Sequence, residues 1–65
     1  MLESSIKNAL SNYASYAQND MVLVRIERDL NNIFGDDVIR DVSFVGDRIS
    51  VEYDNGMGVK IVQYP

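Results

Sequence analysis

Leu2, Ile6, Leu10, Tyr13 and Ala17 recur at spacings of three or four, with Ala9 and Ala14 beside them. Glu3, Lys7, Asn8, Ser11, Asn12, Ser15 and Gln18 fill the other side. This period predicts an amphipathic helix over roughly residues 3–18. Ser and Asn compete for backbone hydrogen bonds, so packing rather than intrinsic preference must hold it. Tyr13 falls on the apolar face. Tyr16 falls at its boundary, where a tyrosine can anchor a partner.

Gln18-Asn19-Asp20 interrupts the pattern and offers Asp20 as an N-cap. The next segment fits two periods. As a helix, Met21–Phe34 places Leu23, Ile26, Leu30, Ile33 and Phe34 on one face and pairs Arg25 with Asp29 at i,i+4. Gly35 then sits where a left-handed residue ends a helix. As a strand, Val22, Val24 and Ile26 alternate with Leu23, Arg25 and Glu27, and β-branching supports it. Cap, period and terminal glycine agree on the helix, which is the expectation. A strand over Met21–Glu27 would instead give αββββ.

Three β-type runs follow, Val38–Val45, Arg48–Tyr53 and Met57–Tyr64, separated by Gly46-Asp47 and Asp54-Asn55-Gly56. They predict an antiparallel meander. A two-residue Gly46-Asp47 loop sets Val45 opposite Arg48, Phe44 opposite Ile49, Val42 opposite Val51 and Arg40 opposite Tyr53. Phe44, Ile49, Val42 and Val51 then share an inner face. At the second turn, an Asn55-Gly56 loop alone would mix the faces. A three-residue Asp54-Asn55-Gly56 loop pairs Tyr53 with Met57, Val51 with Val59 and Ile49 with Ile61, all apolar, and is the expected register. The pattern as a whole predicts an α+β fold. Two N-terminal helices pack on one face of a three-stranded antiparallel β-meander, an ααβββ two-layer domain over residues 1–65.

In that register Asp41, Ser43, Ser50, Glu52 and Lys60 lie across the middle of the outer face. Val45, Arg48 and Val62 form a row at one end, with Tyr64 just beyond. The third strand is an edge, apolar on both faces and interrupted by charge only at Lys60. Unprotected edges invite pairing with another strand. Val45, Arg48, Lys60, Val62 and Tyr64, together with Tyr16, are therefore the expected protein-binding residues.

Size and composition narrow the chemistry. A chain of 65 residues buries only about 60% of the surface its unfolded form exposes. Domains this small commonly recruit disulfides, a metal or a partner subunit. Cys and His are both absent, which removes disulfides, thiolate and imidazole ligands, thiol nucleophiles and imidazole bases. A partner protein or a second copy is the reinforcement left. The net charge is −4, and residues 36–65 hold six carboxylates against three basic groups. The basic residues are scattered among acids, unlike a phosphate-neutralising face, so no nucleic-acid partner is expected. No apolar stretch suits a signal peptide or a membrane span. With the absence of Cys, this favours a cytoplasmic protein. The chain begins at Met and reads as a complete small gene product.

Asp36, Asp37 and Asp41 form the densest acidic cluster, but their spacing lacks a calcium-loop pattern and fits a solvated turn. Ser4, Ser5, Ser11 and Ser15 are read as lacking an activating base. Gly56-Met57-Gly58 lies between two strands and reads as a hairpin turn, not a phosphate loop. No catalytic residue, cofactor or metal is expected, and the chain reads as non-enzymatic. The expected function is a small acidic protein-binding module able to pair with itself as a homodimer. Its size and acidity are those of accessory proteins of phages and other mobile elements that inhibit a host protein. A structural homo-oligomer without a foreign partner is the alternative; a metal- or carboxylate-dependent enzyme is less favoured.

Overall fold

The computed structural model describes all of residues 1–65. Its elements are α1 (Leu2–Leu10), a single 3₁₀ turn (Ser11–Tyr13), α2 (Asp20–Phe34), β1 (Ile39–Val45), β2 (Arg48–Asp54) and β3 (Val59–Tyr64). The strands form one antiparallel sheet in the order β1-β2-β3. Both helices cover the same face, α2 chiefly over β1 and α1 over β3. The fold is the expected α+β, ααβββ two-layer arrangement.

The first helix is shorter than its period suggests. After Leu10 the chain tightens into the 3₁₀ turn, where the Ser11 hydroxyl donates back to the Asn8 carbonyl. A Ser-Asn pair offers such local bonds in place of a further α-turn, and Ala17 ends up exposed outside any helix. The ambiguous second segment is helical throughout. Its N-cap is Asn19, not Asp20: the Asn19 side chain accepts from the Val22 N–H at 3.0 Å, and Asp20 becomes the first helical residue. At the other end Gly35 takes a positive φ of 103° and donates to the Asn31 carbonyl.

Two details of the expected helix differ. Ile33 points to solvent while Ile26 and Leu30 are fully buried. Arg25 and Asp29 do not pair: the Asp29 carboxylate accepts from the Tyr13 hydroxyl, and the Arg25 guanidinium lies over the Tyr16 ring at 5.4 Å.

The β1–β2 register is as expected from Val45 opposite Arg48 back to Val42 opposite Val51. Beyond Asp41 a bulge intervenes, so Ile39, not Arg40, faces Tyr53. Arg40 swings outward and its Nη2 reaches Asp54 Oδ2 at 2.9 Å. Pairing continues past the bulge through the Asp54 N–H, which donates to the Val38 carbonyl at 2.8 Å.

The β2–β3 register differs from expectation by three residues. Val51 faces Val62, Ile49 faces Tyr64 and Tyr53 faces Lys60. The connection runs over Asn55-Gly56-Met57-Gly58, closed by an Asn55 N–H to Gly58 carbonyl bond. Asp54 Oδ1 accepts from the Gly56 N–H and Asn55 Oδ1 from the Met57 N–H, each at 2.8 Å. These two side-chain bonds stabilise the wider turn. An odd shift exchanges the faces of a strand, so Val62 and Tyr64 turn inward and Val59 and Ile61 turn outward.

The core that results joins Ile6 and Leu10 of α1, Ile26 and Leu30 of α2, and Val42, Ile49, Val51, Tyr53 and Val62 of the sheet. Each fully buried aliphatic side chain contributes roughly 1.5–3 kcal/mol of burial free energy.

Candidate functional site

The outer face of the sheet carries no helix, and its third strand has no neighbour on one side. Which backbone groups point that way follows from the hydrogen bonds. The Asp54 N–H is directed to β1, and the Asn55–Gly58 bond closes the turn to β3. Alternation along an antiparallel ladder then directs Tyr53, Val51 and Ile49 to Lys60, Val62 and Tyr64. The N–H and C=O groups of Val59, Ile61 and Gln63 therefore point away from the sheet, unpaired.

The same residues carry apolar surface. Val59 is 55% exposed and Ile61 63%, beside the carboxylates of Asp54 and Glu52 on β2. The opposite edge, β1, is blunted by its bulge and by Arg40 and Asp41.

Asp54 sits at the junction of the two hairpins. The Gly56 N–H and, after it, the Arg40 guanidinium hold its carboxyl below the usual carboxylate range.

A second feature lies at the other end of the sheet. Tyr13 and Tyr16, Phe44 and Ile49, and Tyr64 line a half-enclosed cleft of about 250 Å³ that Asp47 borders. The Tyr13 and Tyr16 rings meet edge to face, 5.4 Å apart at 74°. Burial, reinforced by the hydrogen bond to Asp29, pushes the Tyr13 phenol up to about 12. Tyr13 is a neutral hydroxyl at any ordinary pH.

Comparison with known protein families, characterised proteins and solved structures finds no match to this chain.

The residues singled out from the sequence do not gather into one surface. Val45 and Arg48 face each other on the outer side as expected, with Val45 50% exposed. Val62 is not in that row: it is 4% exposed and packs in the core. Tyr64 also faces inward, half-buried at the mouth of the cleft. Arg48 donates to the Pro65 carbonyl at 2.9 Å. Lys60 lies on the helix side of β3, exposed and without an ion pair. Tyr16 is partly exposed, wedged between Tyr13 and Arg25.

The expected register puts Val59 and Ile61 on the inner face; they are the outward pair instead. Their signal was available in the Asp54 and Asn55 side chains, each able to close a turn onto its own backbone. Ser4 and Lys7 stand at Ser-x-x-Lys spacing, so one serine does have a lysine a turn away. Both are exposed on α1 along a wide, shallow hollow, and Ser4 makes no side-chain hydrogen bond. No three carboxylates converge as a group able to hold a cation. No helix is long and apolar enough to cross a membrane.

Proposed function

We propose that this chain is a small, acidic, cytoplasmic protein-binding module that takes an extended segment of another protein along the free edge of β3. The observation that carries the reading is the coincidence, on Val59 and Ile61, of unpaired backbone groups and exposed apolar side chains. A strand laid against that edge would satisfy the backbone and cover Ile61 at the same time. The neighbouring carboxylates Glu52 and Asp54 favour a partner whose strand is flanked by basic residues. An inhibitory accessory role, of the phage or mobile-element kind, belongs to the same proposal and depends on the partner's identity. A second copy can fill the edge too, by antiparallel pairing centred on Ile61; this is the homodimer form of the reading.

The test combines capture with amide exchange. Wild-type protein and Ile61→Lys are compared as baits in lysate of the native source. Hydrogen exchange at the Val59, Ile61 and Gln63 amides is followed with and without the captured partner. A stoichiometric partner lost in Ile61→Lys, with slowed exchange at those three amides, supports strand addition. Slowed exchange in the isolated protein that strengthens with concentration assigns the edge to self-pairing. Unchanged exchange at all three amides in the presence of a bound partner would sink the reading.

A further inference from the structure

We infer that the cleft between the end of α1, the β1–β2 turn and β3 is a recognition pocket for an arginine side chain of a partner polypeptide. It is lined on several sides by aromatic groups: Tyr13 and Tyr16 follow α1, Phe44 lies on β1, and Tyr64 closes β3. Aromatic faces carry partial negative charge and attract cations, guanidinium groups in particular because these stack flat. Its volume of about 250 Å³ is below the range of roughly 300–1,000 Å³ typical of small-molecule sites. That suits one inserted side chain.

Charge selects the class of ligand. Besides the phenols, the only ionisable side chain lining the cleft is that of Asp47; no lysine or arginine lines it. Arg48, the first residue of β2, does not itself line the cleft; its guanidinium is taken up by the carbonyl of Pro65, which borders the cleft. A bare quaternary ammonium would leave Asp47 and Gln18 without a hydrogen-bond donor. A guanidinium offers five N–H groups for them while its methylene stem lies on the apolar walls. The chain already contains one such pair: Arg25 lies over Tyr16 and lines the hollow on that side of the ring, not the cleft. The structure therefore supplies its own example of Tyr16 receiving a guanidinium.

The pocket is separate from the β3 edge. It rests on the protein-binding reading only in taking its arginine from a polypeptide, and a free arginine derivative tests the pocket alone. N-acetyl-arginine methylamide and its neutral isostere, N-acetyl-citrulline methylamide, are titrated into the 15N-labelled protein at low salt. The expected result is a saturable shift at the Gly46 and Asp47 amides and the Tyr13, Tyr16 and Tyr64 rings for arginine, with citrulline about tenfold weaker. Asp47→Asn, in an exposed loop, should weaken arginine binding roughly fivefold, and Tyr16→Leu similarly. Ile61→Lys should leave it unchanged, whatever that variant does to strand addition. Equal response to citrulline, or shifts that never saturate and spread to Asp36, Asp37 and Glu52, would overturn the assignment. So would binding unaffected by both pocket variants, or no response at high millimolar arginine.

Discussion

The two hairpins share β2 and use it differently. β1 and β2 are joined by a two-residue turn, and Ile39, Val42 and Phe44 all pack toward the helices. The far end of this hairpin is closed by the bulge and the Arg40–Asp54 contact. β2 and β3 are joined by a four-residue turn held by two side-chain amide and carboxylate bonds. Their outer strand is held from one side only: Val62 is buried and Val59 is not. The first hairpin buries most of its apolar residues and leaves only Val45, at its turn, exposed. The second carries more apolar residues than the helices can cover, and the surplus sits on an edge with free backbone groups. Surplus of that kind is where a partner strand gains most, since it satisfies backbone and side chain together.

The sharpest way to break this contrast is to place the same charge on each face of β3. A domain of 65 residues has a total stability of about 3–10 kcal/mol. An unpaired carboxylate at a fully packed site uses up much or all of it. Val62→Asp should therefore abolish the folded circular-dichroism signal at 25 °C. Val59→Asp should retain it, with a stability change within about 0.5 kcal/mol. The reverse outcome would mean that β3 pairs in the other register.

Next in size is the tight turn. Gly46 has φ of 62°, where an L side chain costs about 1–2 kcal/mol. Gly46→Ala should lower the unfolding free energy measured by urea titration by that much. Asn55→Ala, which removes one exposed bond from the wider turn, should cost about 0.5–1.5 kcal/mol. Equal or larger loss at Asn55 would make the second hairpin the more tightly specified of the two.

pH separates the sheet from the helices. The Asp54 pKa is lowered in the folded state by Gly56 and then by Arg40, so its contribution is present at neutral pH. It is lost as pH falls below the ordinary value of 3.8. Asp54→Asn should flatten the acid limb of the stability curve, and Arg40→Ala should flatten part of it. The Tyr13 pKa is raised, which works in the opposite direction. Its contribution is full below the ordinary value of 10.0 and disappears as pH rises through about 12. Tyr13→Phe should remove that alkaline dependence, read from thermal melts, and leave the acid limb alone. These are the smallest effects, because both groups keep contact with water.

The elements most readable from the sequence were those in which only one face is apolar. Ile6 and Leu10 have polar residues around them, so their period leaves one choice of inward side; for Ile26 and Leu30 the choice needed the cap region and the terminal Gly35 to select a helix first. The β1–β2 pairing was readable because Gly46-Asp47 is short and Val42 and Phe44 alternate with Asp41 and Ser43. β3 offers Val59 and Ile61 on one side and Val62 and Tyr64 on the other, so alternation cannot choose between them. Maximising apolar pairs selected the wrong side. The side observed is the one that buries Val62, packs Tyr64 on the core and lets Asp54 and Asn55 close the wider turn. The expected binding residues shift with the register: Val62 and Tyr64 face inward, and Val59 and Ile61 take the outer side. The aromatic cleft was legible only as separate tyrosines, because Tyr13, Phe44 and Tyr64 meet through tertiary packing.

Lys60 has a consequence beyond recognition. Val59, Ile61 and Val62 surround it with β-branched side chains on an edge strand, the local composition from which steric-zipper fibrils grow. One ammonium in that run, free of any ion pair, would be stacked against its own copies in an in-register fibril, where like charges repel. Lys60 is therefore expected to guard the strand against such stacking. With Lys60→Val, dye-binding fibrils should appear at concentrations where the wild type stays clear.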